Sequence, residues 1–197
     1  MPKSYFQPDT SLADNFFNIL RRNKYVWEII STAEKLNLPN WYVGAGCLAQ
    51  TVWNYFHGFE PDKFISDIDL VYFDDTNMSY ESENEIINRV KNHYSRFPIP
   101  LDIKNQARIH LWYPEHFGYP IEPYLSVEEA IDTFPTTSTS IGIKTFRGQL
   151  NLYAPYGLED LFKLVVKPNK KQITEEIYKT KVIKWKKYWP KLIFYDW

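Results

Sequence analysis

A chain of 197 residues, 44% hydrophobic and 24% charged, is long enough to bury one substantial core and has an ordinary globular composition. Its formal net charge of −1 excludes a global field that would draw in nucleic acid, and a single cysteine, Cys47, excludes an intrachain disulfide partner. No apolar run approaches membrane-spanning length, and the opening MPKSYFQPDT carries no apolar signal segment, so a cytoplasmic protein without a membrane partner is expected.

The predicted elements begin with SLADNFFNILRRNKYVWEIISTAEKLNL, whose apolar residues recur at helical spacing. It reads as two helices with a break near Arg22–Lys24 and an N-cap at Ser11 or Asp14. After the turn NLPN, WYVGAG reads as a short strand running into glycines, and CLAQTVWNYFHG as a helix closed by Gly58. FEPDKFIS is a loop, and DIDLVYF a strand with apolar residues on both faces. ESENEIINRVKNHYSRF is an amphipathic helix with an acidic first turn, followed by the strand IPLDIKN. QARIHLWYPEHFG reads as a short helix and a loop.

SVEEAIDTF is a helix capped by Ser126, with Glu129 at the capping-box position. TSTSIGIKTFRGQLNLYAP contains two β-runs around Arg147–Gly148, a hairpin pattern. GLEDLFKLVVKP reads as a helix stopped by Pro168, and ITEEIYKTKVIKWKKYWP as a last helix capped by Thr174 or Asn169. This order predicts an α+β fold, a mixed β-sheet flanked by helices, and not a doubly wound alternation. One domain is expected, with N-terminal helices over 1–40, a core over 41–168 and a basic helical region over 169–197.

Charge is unevenly spread. Ten lysines between Lys163 and Lys191 face only Glu175 and Glu176, so this segment carries about +8 on an otherwise acidic body. In KVIKWKKYWPK the cations alternate with Tyr and Trp, a composition that suits single-stranded nucleic acid. The favoured reading is an amphipathic terminal helix with Val182, Ile183, Trp185 and Trp189 turned inward and the lysines solvated.

The chemistry centres on FISDIDLVYF. Residues i and i+2 of a strand share a face, so Asp67 and Asp69 project side by side with Ile68 turned into the core. Their repulsion raises one pKa unless a cation neutralises it, and a hard divalent ion does so well. The bland alternative, a solvated strand end, is about as good for the pair alone.

Three further features shift the balance. VGAGCLAQTVW runs through two glycines into a helix, where backbone N–H groups are free to meet phosphate. LDIKN supplies a further aspartate, Asp102, inside a β-run. The order of glycine turn, helix, DxD strand, helix and single-Asp strand is more specific than any of its parts.

In VGAG, SDIDLVYF and LDIKN together the chain resembles the nucleotidyltransferase superfamily of DNA polymerase β. It is similar to small bacterial nucleotidyltransferase-family proteins related to the head domain of CCA-adding enzymes. LDIKNQARIHLWYPEHFG, PTTSTSIGIK and LNLYAPYGLEDLFKLVVKPN carry that likeness, which spans about Trp41 to Asn169. The resemblance implies a polymerase β-like fold in which Asp67, Asp69 and Asp102 bind two Mg²⁺ ions, with Mn²⁺ able to substitute. It also implies that Asp102 helps to activate the attacking hydroxyl and that the turn Gly44–Ala45–Gly46 cradles the triphosphate. The reaction implied is transfer of a nucleoside monophosphate from NTP to an acceptor hydroxyl.

The chain departs from that pattern where an Arg-Asp pair usually follows the glycines; here stand Ala49 and Gln50. Lys104, Arg108, Lys144 and Arg147 are the candidate replacements, with Lys144 preferred. The acceptor is open: RNA, a protein hydroxyl or a small molecule. The alternative is a nucleotide- or RNA-binding domain that kept the carboxylates without efficient catalysis. The hydroxyls of Thr136–Ser140 are either phosphate or sugar ligands or ordinary strand residues. His110 and His116 stand near Asp102 in sequence, and Cys47 has no base in view to make it a nucleophile.

Overall fold

The computed structural model describes residues 10–197. Helix α1 (Thr10–Leu20) buries Phe16, Ile19 and Leu20, and α2 (Lys24–Thr32) buries Val26, Ile29 and Ile30. They break where expected. Asn23, whose side chain accepts from the Val26 N–H at 3.3 Å, starts the second helix. Ser11 and Asp14, the expected caps of the first helix, instead lie within α1.

Strand β1 (Tyr42–Gly44), α3 (Gly46–His57), β2 (Ile68–Tyr72), α4 (Tyr80–His93) and β3 (Leu101–Asn105) follow. Next come α5 (Ile109–Phe117), after a short 3₁₀ turn, and α6 (Val127–Ile131). Ser126 caps α6 as expected, accepting from the Glu129 N–H at 3.1 Å; the Glu129 carboxylate returns to the N–H of Leu125, one residue before the cap. Strands β4 (Gly142–Phe146) and β5 (Gln149–Tyr153) form the hairpin, with Arg147 and Gly148 both at positive φ, 51° and 75°.

The expected helix over 158–167 is mostly absent. It reduces to α7 (Glu159–Phe162), which stops at Leu164 with φ 58°. The β-branched pair of β6 (Val165–Val166) then finds a parallel partner in β7 (Ile193–Phe194), a long-range pairing no local pattern announces. Between them lies α8 (Glu175–Tyr188), capped by Thr174.

The main sheet has the order β3-β2-β1-β4-β5 and is mixed: β2 and β3 are parallel and every other pair antiparallel. Its alternation separates two faces. Ile68, Leu70, Tyr72, Leu101, Ile103, Val43 and Ile143 point into the larger core, which also holds Leu48, Val52 and Trp53 of α3, and Val90 of α4. Tyr42, Val71 and Phe73 point the other way, into a smaller cluster with Ala107, Val127 and Ile131. No helix among the described residues is long and apolar enough to cross a membrane.

Helix α8 is docked by aromatics. The Trp53 ring meets Trp185 at 5.2 Å and Trp189 at 5.3 Å, and all three are buried. Trp189 Nε1–H donates to Asn54 Oδ1 at 2.7 Å, while the Asn54 amide donates to the carbonyls of Pro61 and Lys63. His57 completes the joint: it bonds the Trp53 carbonyl through Nδ1 and accepts the Lys191 N–H at Nε2. Burial lowers its pKa, which keeps the ring neutral as the second bond requires. Contrary to expectation, Ile183 faces outward at 73% exposure, because Trp185 and Trp189 set the buried stripe of α8.

Gly142 marks the tightest crossing of the smaller cluster. A Cβ there would sit 2.7 Å from Ile131 Cδ1 and 3.0 Å from the Tyr42 ring. Gly142→Ala should therefore cost roughly 1–3 kcal/mol through overpacking, read as a lower urea midpoint by tryptophan fluorescence. An unchanged midpoint would mean that α6 yields freely.

Candidate functional site

One row of residues crosses the sheet. Asp102 of β3 is the register partner of Asp69 of β2, Asp69 of Gly44, Gly44 of Gly142, and Gly142 of Tyr153. Partners in register project to the same face, so the row belongs to the face of the smaller cluster. Its two halves differ. Over β1 and β4 it carries only glycines, and Phe134 and Ile131 pack down on them. Over β2 and β3 it carries two aspartates, neither fully buried. Asp67, exposed, lies in the loop just before β2.

The electrostatics follow from this crowding. Burial, then the negative charges of Asp67 and Asp102, push the Asp69 pKa up to about 7, against the partial relief of Lys104 and Lys181. Asp102 is ion-paired with Lys104, two residues along the same strand face. As the side chains stand, no three His, Cys, Asp or Glu groups among the described residues converge as a metal site. The donor chemistry nonetheless fits a hard divalent cation. Three carboxylates share one edge, one is held near neutrality for want of positive charge, and a single ammonium stands in at Asp102.

The turn beside the acids is unusual in a way the sequence did not suggest. Gly44 and Gly46 do not take the left-handed conformation; Ala45 does, with φ 59° and ψ −133°. Its N–H donates to the Ile141 carbonyl at 3.0 Å, and α3 starts immediately after it. A Cβ at Gly44 would come into contact with Phe134 and the Ile141 carbonyl at 3.4 Å, and one at Gly46 would meet the end of the Gln50 side chain at 3.0 Å.

Cys47 is buried, and its Sγ–H donates to the Gly44 carbonyl at 3.2 Å. Burial, with Asp69 and Asp67 nearby, raises its pKa well above the ordinary thiol value, which makes it a poor nucleophile. Ala49 is sealed in the larger core, so this position offers no route to solvent for a longer cation.

The candidate cations are dispersed. Lys104 is on Asp102. Arg108 is buried and committed to structure: it pairs with Glu83 and donates to the Met78 carbonyl, while Glu83 also accepts the Asn105 N–H. Lys144 lies two strands from Asp69 with its Nζ 4.1 Å from the Tyr42 ring centroid; burial lowers its pKa and Glu128 opposes the shift. Arg147 is at the hairpin tip, where its N–H meets Glu34.

The hydroxyls of 136–140 bond mainly to one another and to nearby main chain. Thr136 Oγ1 meets Thr139 Oγ1 at 2.8 Å, Ser140 Oγ donates to the carbonyls of Phe134 and Thr136, and Thr137 donates to Asp160. They build a buried turn and are not aimed at a ligand. His110 is partly buried and has no described contact with the acids; His116 is exposed.

Two lysines that sequence reasoning did not connect to the acids come from α8. Lys184 Nζ lies 3.5 Å from Ser66 Oγ, next to Asp67. Lys181, one turn earlier, is partly buried and interacts with both Asp69 and Asp67. The dense lysine composition of this segment was the available signal. Concavities among the described residues lie away from these three aspartates, one of about 240 Å³ lined by Ile19, Arg22, Tyr55 and Pro61 and another of about 400 Å³ lined by Asp74, Asp75 and Glu128. The acids themselves occupy an edge of the sheet.

A mixed sheet with one aspartate on β2 and another in the loop just before it, a third on its parallel neighbour and a glycine turn entering a helix is the framework of a nucleotidyl-transfer protein. The chain belongs to a nucleotidyltransferase family, whose model matches residues 31–194. It is similar to a solved NMR structure described as revealing a CCA-adding enzyme head domain, at 26% identity and a TM-score of 0.73, over 91% of this chain and 95% of that one. A chain of a tRNA-processing enzyme complex matches at 18% identity and a TM-score of 0.41, over 71% of this chain and 35% of that one. No curated protein matches the chain. The polymerase β-like fold expected from the sequence is the fold found.

The pKa of Asp69 predicts a pH dependence. Its unfolded value is near 3.8 and its folded value about 7. Between these pH values the folded chain keeps a proton that the unfolded chain has lost, so stability falls as pH rises through this window. Asp69→Asn, neutral at every pH, should melt above the unsubstituted protein at pH 8 in chelator, by a smaller margin at pH 5, and alongside it only below about pH 3.8. Equal melting temperatures at both pH values would refute the raised pKa.

Proposed function

We propose that this protein transfers a nucleoside monophosphate from an NTP to an acceptor hydroxyl at the edge formed by Asp67, Asp69 and Asp102. The observation that carries the reading is the parallel register of Asp69 with Asp102 beside the turn at Gly44–Gly46. Family membership supports nucleotidyl transfer as the reaction class. The whole chain is taken as one catalytic unit in this reading.

Asp67, Asp69 and Asp102 would hold two Mg²⁺, or Mn²⁺ in its place, once Asp102 exchanges its Lys104 partner. Bound there, the ions supply positive charge for the oxygens of the transferred phosphoryl group. The chain's own residues supply position. The first N–H groups of α3, at Gly46 and Cys47, follow the turn beside Asp69 and would suit the phosphate tail. Asp102 is placed to take the proton of the attacking hydroxyl as its oxygen bonds to the α-phosphorus. The bond from the α-phosphorus to the bridging oxygen breaks at the same centre, and pyrophosphate leaves. Lys104, freed from Asp102, lies on the same face within reach of the leaving charge. RNA and small molecules are both compatible acceptors.

The test is label transfer. Each α-labelled NTP is incubated with the protein, Mg²⁺ and bulk cellular RNA or a panel of small hydroxyl compounds. Transfer is expected, with Asp69→Asn lowering its rate by roughly 10²-fold or more. NTP binding without transfer or pyrophosphate release across all acceptors would favour a binding domain that kept the fold.

A further inference from the structure

We infer that Lys181 of α8 is the cation that receives the triphosphate of the bound nucleotide, taking the part an arginine after the glycine turn would otherwise play. This inference rests on the nucleotidyl-transfer reading above. Ala49 is sealed in the core, and three other basic candidates are engaged or distant: Arg108 by Glu83, Lys144 by the Tyr42 ring, and Arg147 at the hairpin tip, while Lys104 becomes available only after it leaves Asp102. A tetra-anionic tail placed beside three carboxylates needs positive charge from somewhere, and α8 brings it.

The geometry is set by packing. Trp185 and Trp189 lock α8 against Trp53 of α3, and Lys184 reaches Ser66 beside Asp67. Lys181 sits three residues before Lys184 and four before Trp185, hence on the same side of the helix. Its Nζ lies 5.9 Å from the Trp185 ring, which steadies the stem. Lys181 is partly buried, yet none of the ion pairs among the described residues includes it.

Burial draws its pKa down while Asp69 and Asp67 draw it back up. The ammonium therefore stands in the field of the acids without contact, partly stripped of water. That is the condition in which an arriving phosphate gains most from it. The helix N-terminus at Gly46 and the ammonium of Lys181 would flank the tail from two different elements.

The experiment measures Mg²⁺·ATP and Mg²⁺·AMP binding by calorimetry to the full chain, to Lys181→Met and Lys181→Arg, and to Lys187→Met as a surface-charge control. Unsubstituted protein should prefer ATP. Lys181→Met should lose about tenfold in ATP affinity, the size of one good phosphate contact, with AMP affinity unchanged. Lys181→Arg should keep most of the ATP affinity, and Lys187→Met all of it. Lys181→Met binding ATP like the unsubstituted protein, or losing ATP and AMP equally, would overturn the inference while leaving nucleotidyl transfer standing. Absence of binding by the unsubstituted protein to ATP and, in the same measurement, to GTP, CTP and UTP would overturn both.

Discussion

The parallel pairing of β2 with β3 is the constraint on which the rest of the molecule turns. It places Asp69 directly against Asp102 and leaves no choice about their proximity, because the register is held by the main chain and by apolar partners on the opposite face. Slipping β3 by one residue against β2 would turn Leu101 and Ile103 to the wrong side. The buried face thus enforces a repulsion on the open face. Hydrophobic burial outweighs that repulsion, and the acids bear the consequence: its own burial first, then the charges of Asp67 and Asp102, push the Asp69 pKa up to about 7.

The second organising element is the aromatic joint between α3 and α8. Asn54 ties together three things: its carboxamide oxygen takes the Trp189 N–H, and its amide holds the loop of Pro61 and Lys63 that leads into Asp67. Asn23 reinforces the same loop through the Pro61 carbonyl and Thr51. The loop carrying the first aspartate and the helix carrying the cations are therefore fixed to a common post. Buried polar groups of this kind are costly when unpaired and rigid when satisfied. Asn54 and Asn23 are satisfied here, while the Trp53 indole N–H in the same joint finds no partner among the described residues.

Much of this was legible in the linear sequence, and the exceptions are physical. The strands DIDLVYF and LDIKN, the Gly58 stop, the Ser126 cap and the Arg147–Gly148 hairpin all rest on local chemistry, which a one-dimensional pattern records. The pairing of Val165–Val166 with Ile193–Phe194 does not, since each segment is too short to declare itself without the other. Arg108 looked available because nothing in sequence links it to Glu83, 25 residues earlier. The lysines of α8 were visible as composition, but their direction depended on which face Trp185 and Trp189 would bury. Ile183, expected inside, shows how a rotation of one helix reassigns every charge on it.

Ala45 carries a last consequence. A residue with a side chain is held where glycine would sit at ease, between two glycines that do not need the freedom. Such a conformation costs on the order of 1–3 kcal/mol, and it persists because the N–H is tied to Ile141 and the next residues are already committed to α3. A residue with a Cβ would by itself prefer negative φ, so the turn is held in this shape by the Ile141 carbonyl and the start of α3. Its amide groups are therefore aimed before anything approaches them. The ordering of this turn is settled when the chain folds, and a visitor to the sheet edge meets a finished surface.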